Sequence, residues 1–332
     1  MKYLITGHTG FKGSWLAAKL KIEGHKVFGI ALNPPTKSHF NLAEIAKYMD
    51  RDIRVDIRNI KSLEEAILEL NPDVIVHLAA QSLVLESYRN PIYTYETNVI
   101  GTLNLLNSSV RADGLKAVLI ITSDKVYKKK ITKEAFVESD PLGGDDPYSS
   151  SKAATDIVTQ AWRTSFGRIP IAIARAGNVI GGGDWSTDRI IPDLVNSLKE
   201  SKELLVRNPY SVRPWQHVLD CLNGYQLLIK QQLESGLQGE WNFGPGLNCN
   251  FTVNDLIYNF CQSWGKDVKI KIVPCQVKEL ESLSINSNHS RLDLGWTEKL
   301  DFRKTIDWTS DWYKESNPAI KTKNQIIQFL NL

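Results

Sequence analysis

An α/β fold, a doubly wound parallel sheet with a smaller C-terminal region, is what the sequence predicts. Three observations carry that expectation. Short apolar runs alternate with helical stretches through the first half; a glycine-rich segment, TGHTGFKG, joins the first run to the first helical stretch; and the alternation loosens after about residue 178. In chain order KYLIT (2–6), HKVFGIAL (25–32), IRVDI (53–57), DVIVHLA (73–79), KAVLIIT (116–122) and PIAIARA (170–176) read as strands. GSWLAAKLKIEG (13–24) and SLEEAILELNP (62–72) read as helices, the second closed by its Asn-Pro. Helix-length crossovers between such strands make βαβ units with right-handed connections.

The chain of 332 residues can bury a sizeable core, and 40 basic against 37 acidic residues leave a net charge of +3, which carries no polyanion-binding signature. No nucleic-acid partner is expected. Cys221, Cys249, Cys261 and Cys275 form no CxxC pair, so neither a zinc site nor a disulfide framework is expected, and no metal. The opening MKYLITG lacks the apolar run of a signal peptide, and no stretch reaches the ~18 apolar residues of a membrane helix. A cytoplasmic protein without a membrane partner is the expectation.

Gly7, Gly10 and Gly13 follow the first strand and open the first helix in a GxxGxxG spacing. Glycine permits the tight turn and lets backbone N–H groups approach a diphosphate at a helix N-terminus. With Thr9, Phe11 and Lys12 these residues are the expected cradle of a dinucleotide, which makes residues 1–177 a Rossmann-type domain, completed by parts of 207–240. Residues 178–332 are then mainly the substrate-binding region. At the end of the second strand, where an acid commonly holds the adenosine ribose, stands Asn33, and NAD is preferred over NADP. Asp56 and Ile57 read equally as adenine contacts or as a strand-end polar and a core residue.

DPYSSSKAATD brings Tyr148 and Lys152 onto one helix face, four apart. A phenol with an ordinary pKa of about 10 needs an adjacent cation to act as a base near neutrality, and Lys152 is placed to supply one. Alone such a pair is commonplace on surfaces. Here it follows ITSDKVY, where Thr122, Ser123, Asp124 and Lys125 leave the end of a buried strand, the place where an open parallel sheet receives ligands. After the last strand RAGNVIGGGDW brings Asn178 to a diphosphate with Arg175 behind it, and RNPYSVRPWQHV offers Arg207 and Arg213 as phosphate forks. His217 reads as a structural hydrogen-bonder, Trp185 and Trp215 as core or as cover for a base.

These pieces together resemble the extended short-chain dehydrogenase/reductase superfamily, in its nucleotide-sugar epimerase and dehydratase group. TGHTGFKGSWLA, HLAAQSLV, TSDKVY, PLGGDDPYSSSK, RAGNVIGGGDW, DRIIPD, RNPYSVRPWQHVLD and WNFGP, in that order, are similar to the CDP-glucose 4,6-dehydratase family. The resemblance implies a lyase on enzyme-bound NAD: C4 oxidation with Tyr148 taking the hydroxyl proton, loss of water across C5 and C6, and hydride return to C6. It implies Ser123 or Thr122 on the sugar hydroxyl and Asp124 as the acid at C6. Lys125 stands where the C5 base belongs, either as that base or as a charge that stabilises the enolate. It adds Leu78, Ala79, Ala80 and Asn98 to the cofactor contacts and Gln81 to the substrate contacts. A homodimer through helices near TNVIGTLNLLNSSV and SKAATDIVTQAW is also implied.

Three departures from that family stand out, one of them a short loop before PIAIARAGN. KKKITKEAFVES (128–139) lacks the tryptophan-rich stretch of that family, its KKK being a solvated loop or a surface toward an anionic substrate, and the C-terminal third carries few landmarks. The alternatives are a 4,6-dehydratase for another nucleotide-sugar, an epimerase or reductase on the same fold, and a catalytically silent NAD-binding protein.

Overall fold

The computed structural model describes residues 1–130, 132, 134–246, 251–274 and 283–332. Cys249 and Cys275, with residues 131 and 133 of the KKKITKEAFVES segment, lie outside them. Seven strands, β1 (Lys2–Thr6), β2 (Lys26–Ala31), β3 (Arg51–Arg54), β4 (Val74–His77), β5 (Ala117–Ile121), β6 (Ile171–Ala176) and β7 (Gly239–Phe243), form one sheet in the order β7-β6-β5-β4-β1-β2-β3. Every neighbouring pair is parallel. The chain begins in the middle, builds outward through β2 and β3, then restarts at β4 on the other side of β1. That reversal is where a doubly wound sheet opens a crevice at its carboxyl edge.

Each strand faces apolar partners on both sides. Leu4, Ile75, Val118 and Ile173 join Leu63, Ile67, Leu105 and Leu106 in one cluster, whereas Ile5, Val76, Leu119 and Ala174 join Trp15, Leu222 and Tyr225 in another. Alternate residues of one strand enter opposite cores, as the period of two dictates, so these strands read as continuous apolar runs. The covering helices are α1 (Phe11–Ile22), α2 (Ile60–Leu70), α3 (Gly101–Ser109), α4 (Pro147–Phe166), α5 (Ile190–Glu200), α6 (Val218–Ser235), α7 (Phe302–Lys314) and α8 (Pro318–Leu330). Asn71 closes α2 in the left-handed region, at φ 41°. Asp146 caps α4 by accepting from the Ser149 N–H, with Pro147 at the first helical position.

Two differences from the sequence reading have local causes. The third strand ends at Arg54, because Asp56 accepts from the Arg58 N–H at 2.9 Å and turns the chain. GEWNF, too polar to read as a strand, pairs with β6 along its whole length because Trp241 and Phe243 are buried while Gly239 and Glu240 stay partly exposed.

The cluster that holds Ile5 and Trp15 also holds Phe260, Trp312 and Phe329, so residues on either side of 178 pack in one core. His39 ties the C-terminal helices down: its ring bonds Ser14 Oγ at 2.8 Å and Thr322 Oγ1 at 3.0 Å, and Trp312 Nε1 donates to the same Thr322 oxygen at 2.8 Å. Among the described residues no helix is long and apolar enough to cross a membrane, and no group of three or more His, Cys, Asp or Glu could hold a metal ion.

Candidate active site

A cavity of about 560 Å³ runs along the carboxyl ends of β1 to β6. Its floor at β1 is the glycine loop. Gly7 sits at φ +75°, and a Cβ there would lie 2.7 Å from the Ala79 nitrogen; one on Gly13 would lie 2.3 Å from the Gly7 carbonyl oxygen. Side chains at either position would fill the space that lets backbone approach a ligand. Gly10 caps α1 with no side chain accepting from its first turn, which leaves that helix end as an anion site. The Thr9 hydroxyl donates to the Leu32 carbonyl at 3.0 Å and fixes the loop against the end of β2. A bare cradle, an uncapped helix end and an adjoining slot lined by Leu32, Asp56, Ile57, Leu78, Ala79 and Ala80 fit a dinucleotide such as NAD.

Asn33, expected on the ribose, is exposed and does not line the cavity; Ala31 and Leu32 form the wall there. Asn98 and Gln81 are likewise not in the lining. Asn98 accepts from the Gln81 N–H at 2.8 Å and donates to the Gln81 carbonyl at 3.0 Å and to Ser151 Oγ at 2.8 Å. The Gln81 amide donates to Thr94 Oγ1 and the Leu83 carbonyl and accepts from the Leu83 N–H. With those groups satisfied internally, the pair holds the loop after β4 from behind. Asn98 itself lies in a π-turn, Glu96–Ile100, that widens the helix running into α3.

At the end of β5 Ser123, Asp124 and Lys125 line the cavity together with Tyr148 and Lys152 from α4. The Ser123 hydroxyl donates to Asp124 Oδ1 at 3.0 Å and accepts from the Lys125 N–H at 3.2 Å, and it lies near enough to Tyr148 to pull its phenol down. Burial raises the Asp124 carboxyl against the pull of Lys125, Ser123 and Arg213, and its Oδ2 has no partner among the described residues. Burial raises the Tyr148 phenol too, against the pull of Ser123. Lys152 donates to the Ile121 carbonyl at 3.0 Å, and burial, then the charge of Lys12, pulls it down to about 7. Thr122 lines the cavity too, but its hydroxyl donates to Asp156 Oδ2 at 3.3 Å, so of the two hydroxyls it is that of Ser123 that acts on Tyr148.

Arg175, expected behind a diphosphate, is not at the cavity. It is 1 % exposed; its Nε and Nη2 donate to the two Asp156 oxygens at 2.8 Å each, and its Nη1 donates to Tyr127 Oη at 3.0 Å and to the Glu138 carbonyl at 2.9 Å. Burial lowers this guanidinium, and the bond and charge of Asp156 more than reverse that. Asn178, Arg207 and Arg213 do line the cavity. Arg207 donates to the Asp188 carbonyl at 3.1 Å, and Arg213 to the Val212 carbonyl at 2.9 Å.

Trp215 lines the cavity and Trp185 does not, its ring instead lying 3.6 Å beneath the Lys37 ammonium. His217 is buried, held down to about 3 by that burial, and accepts from the Leu219 N–H to cap α6. None of Lys128, Lys129 and Lys130 reaches the cavity, and Lys130 pairs with Asp140. The sequence reading missed the segment from Asp184 to Asp193, where Arg189 donates to Asp184 Oδ2 at 3.1 Å, and with it Asn208 and Ser211. Its one legible signal is DRIIPD (188–193), a short polar-apolar string two residues after the glycine-rich loop.

The comparison with known proteins agrees with this arrangement. The profile of the NAD dependent epimerase/dehydratase family matches residues 3–244. The CDP-glucose 4,6-dehydratase of Salmonella typhimurium is 37% identical over 99% of this chain and 96% of that one. The crystal structure of dTDP-glucose 4,6-dehydratase from Bacillus anthracis in complex with NAD covers 98% of this chain and 99% of its own, with a TM-score of 0.82 and 26% identity. UDP-glucose 4-epimerase of Thermus thermophilus, in complex with NAD, shares the fold at TM-score 0.83 and 23% identity, over 95% of this chain and 100% of its own. A glycine cradle, a Tyr–Lys helix pair and full-length similarity of this kind have one source: the chain belongs to the NAD dependent epimerase/dehydratase family.

Proposed function

We propose that the protein is a nucleotide-sugar 4,6-dehydratase, a lyase that converts CDP-glucose to CDP-4-keto-6-deoxyglucose and water. The observation that carries the reading is Asp124: a buried carboxyl beside Ser123 and Tyr148, raised by burial, with one oxygen unpartnered and Lys125 next to it. An epimerase or reductase needs Tyr148 and Lys152 but no acid at C6, and the full-length similarity to the Salmonella enzyme favours the same conclusion.

NAD, when bound, supplies the transient oxidation at C4 and the matching reduction at C6. Ser123 hydrogen-bonds the C4 hydroxyl and Tyr148 takes its proton, with Lys152 beneath supplying the positive charge that a phenolate needs. The C4 ketone acidifies C5–H. Asp124, whose protonated form burial favours, gives its proton to the C6 hydroxyl, which leaves as water. Lys125 is the candidate base at C5; the alternative is that its half-exposed ammonium stays charged and stabilises the enolate while another group takes the C5 proton. Loss of C5 proton exchange with solvent in Lys125→Met supports the base role, and exchange at the unmutated rate removes it. Arg207 and Arg213 hold the diphosphate, with Asn178 beside them.

A homodimer is proposed on the exposed apolar side chains Ile92, Ile100 and Ile157, carried by the helical stretch before α3 and by α4. The purified protein, incubated separately with CDP-, TDP-, GDP- and UDP-glucose, tests the reading by mass spectrometry. Loss of water from CDP-glucose is expected. Turnover of TDP-glucose alone would keep the reaction and change the substrate.

A further inference from the structure

Five aspartates among the described residues line the cavity. Asp124 belongs to the reacting cluster, and Asp56, Asp184 and Asp188 pair with Arg58, Arg189 and Arg207, which leaves one carboxyl in the cavity that the reaction does not use. Asp193, in the first turn of α5, lines the cavity together with Ile190, Ile191, Val206, Asn208 and Ser211. Its carboxyl has neither a hydrogen-bond nor an ion-pair partner among the described residues: Arg189 is taken by Asp184 and Arg207 by Asp188. The groups whose charge acts on Asp193 are Asp188, Arg207 and Asp184, whereas those acting on Asp124 and Tyr148 include Lys125, Arg213, Lys12 and Arg189. Arg207, a candidate diphosphate ligand, is the cation that acts on Asp193, and Asp193 belongs to the stretches of the lining, 186–193 and 205–208 with Ser211, that neither the glycine cradle nor the Ser123–Lys152 cluster uses. That is where a nucleotide-sugar with its glucose at Tyr148 carries its base.

Burial, then the neighbouring Asp188, holds the Asp193 carboxyl up to about 6, so at neutral pH it is mainly an ionised acceptor with no donor among the described residues. Cytosine offers an exocyclic amino donor where uracil and thymine offer a carbonyl oxygen, and a carboxylate accepts from the first and repels the second. We infer that Asp193 accepts a hydrogen bond from the exocyclic amino group of the substrate's base and thereby selects cytosine over the oxo-pyrimidines. This rests on the reading of the chain as a CDP-glucose dehydratase and adds the residue that makes the choice. A carboxylate in a first turn also favours the helix dipole, but that effect is indifferent to the base.

The test uses NAD-loaded enzyme and measures kcat/KM for CDP-glucose and UDP-glucose in Asp193→Asn and Asp193→Leu. The CDP-over-UDP preference falls roughly tenfold to a hundredfold, mostly through KM, with kcat for CDP-glucose near that of the unmutated enzyme. An unchanged preference in a folded variant overturns the inference. If neither variant folds, inhibition of the unmutated enzyme decides: N4,N4-dimethyl-CDP, which has no donor, should bind roughly tenfold or more weakly than N4-methyl-CDP, which keeps one. Equal binding overturns the inference. Should the unmutated enzyme dehydrate UDP- or TDP-glucose rather than CDP-glucose, the substrate reading fails; should it prefer CDP-glucose while the variants keep that preference, only the role of Asp193 fails.

Discussion

Replacing Arg175 with Met separates a buried strut from a phosphate ligand. The Arg175–Asp156 pair is 1 % and 0 % exposed and bidentate at 2.8 Å. Without the guanidinium, Asp156 keeps, among the described residues, only Gln160 Nε2 at 2.8 Å and Thr122 Oγ1 at 3.3 Å as side-chain donors, and Tyr127 and the Glu138 carbonyl lose the Arg175 donor. Leaving one partner of a buried pair uncompensated costs about 3–5 kcal/mol, whereas replacing both by apolar side chains of similar volume is about neutral. Urea unfolding of Arg175→Met should therefore lose about 3–5 kcal/mol, and the double variant Arg175→Met/Asp156→Leu should recover most of it. KM for the nucleotide-sugar should stay near its unmutated value. A stability loss under about 1 kcal/mol, together with a tenfold rise in KM, would refute the structural role and return Arg175 to the diphosphate.

Other expectations follow from the same geometry. Tyr148→Phe should lower kcat by about 10²–10⁴ with NAD content unchanged, read by turnover and by cofactor absorbance. Asp124→Asn should slow water loss by a similar factor while C4 oxidation persists, so that a keto-sugar retaining its C6 hydroxyl accumulates in single-turnover mass spectra. Gly13→Ala forces a methyl to within 2.3 Å of the Gly7 oxygen, and the purified variant should carry little NAD. Asp220 accepts from the Lys299 and Leu300 N–H groups, and burial raises its carboxyl from 3.8 to about 7. The folded state then holds a proton that the unfolded state has released, so stability falls as pH rises from about 4 to 7. Relative to Asp220→Asn, the unmutated protein should lose roughly 2–3 kcal/mol between about pH 5 and 7; parallel curves would contradict the raised pKa.

The parts of the site legible in the sequence are those whose meaning lies in local spacing. Gly7, Gly10 and Gly13 must sit at a strand-to-helix turn, and Tyr148 and Lys152 must share a helix face, so their positions follow from backbone periodicity. Ser123 and Asp124 are marked by their place at the end of an apolar run. What the sequence does not carry is which way a polar side chain points once the strand has ended. Thr122 and Ser123 are neighbours, yet one hydroxyl faces Asp156 and the other Tyr148. Arg175 has the chemistry of a phosphate fork, and only the position of Asp156 on α4, nineteen residues earlier, turns it inward. Gln81 and Asn98 are polar residues near a ligand wall whose hydrogen bonds go to each other, a pairing visible only in three dimensions.

The most direct measurement follows hydrogen through the reaction. With CDP-glucose deuterated at C4, the protein should release a product lighter by one water that carries the deuterium at C6. Absence of water loss, or a product whose C6 hydrogen comes from solvent, would contradict a closed redox cycle at the Tyr148–Asp124 site.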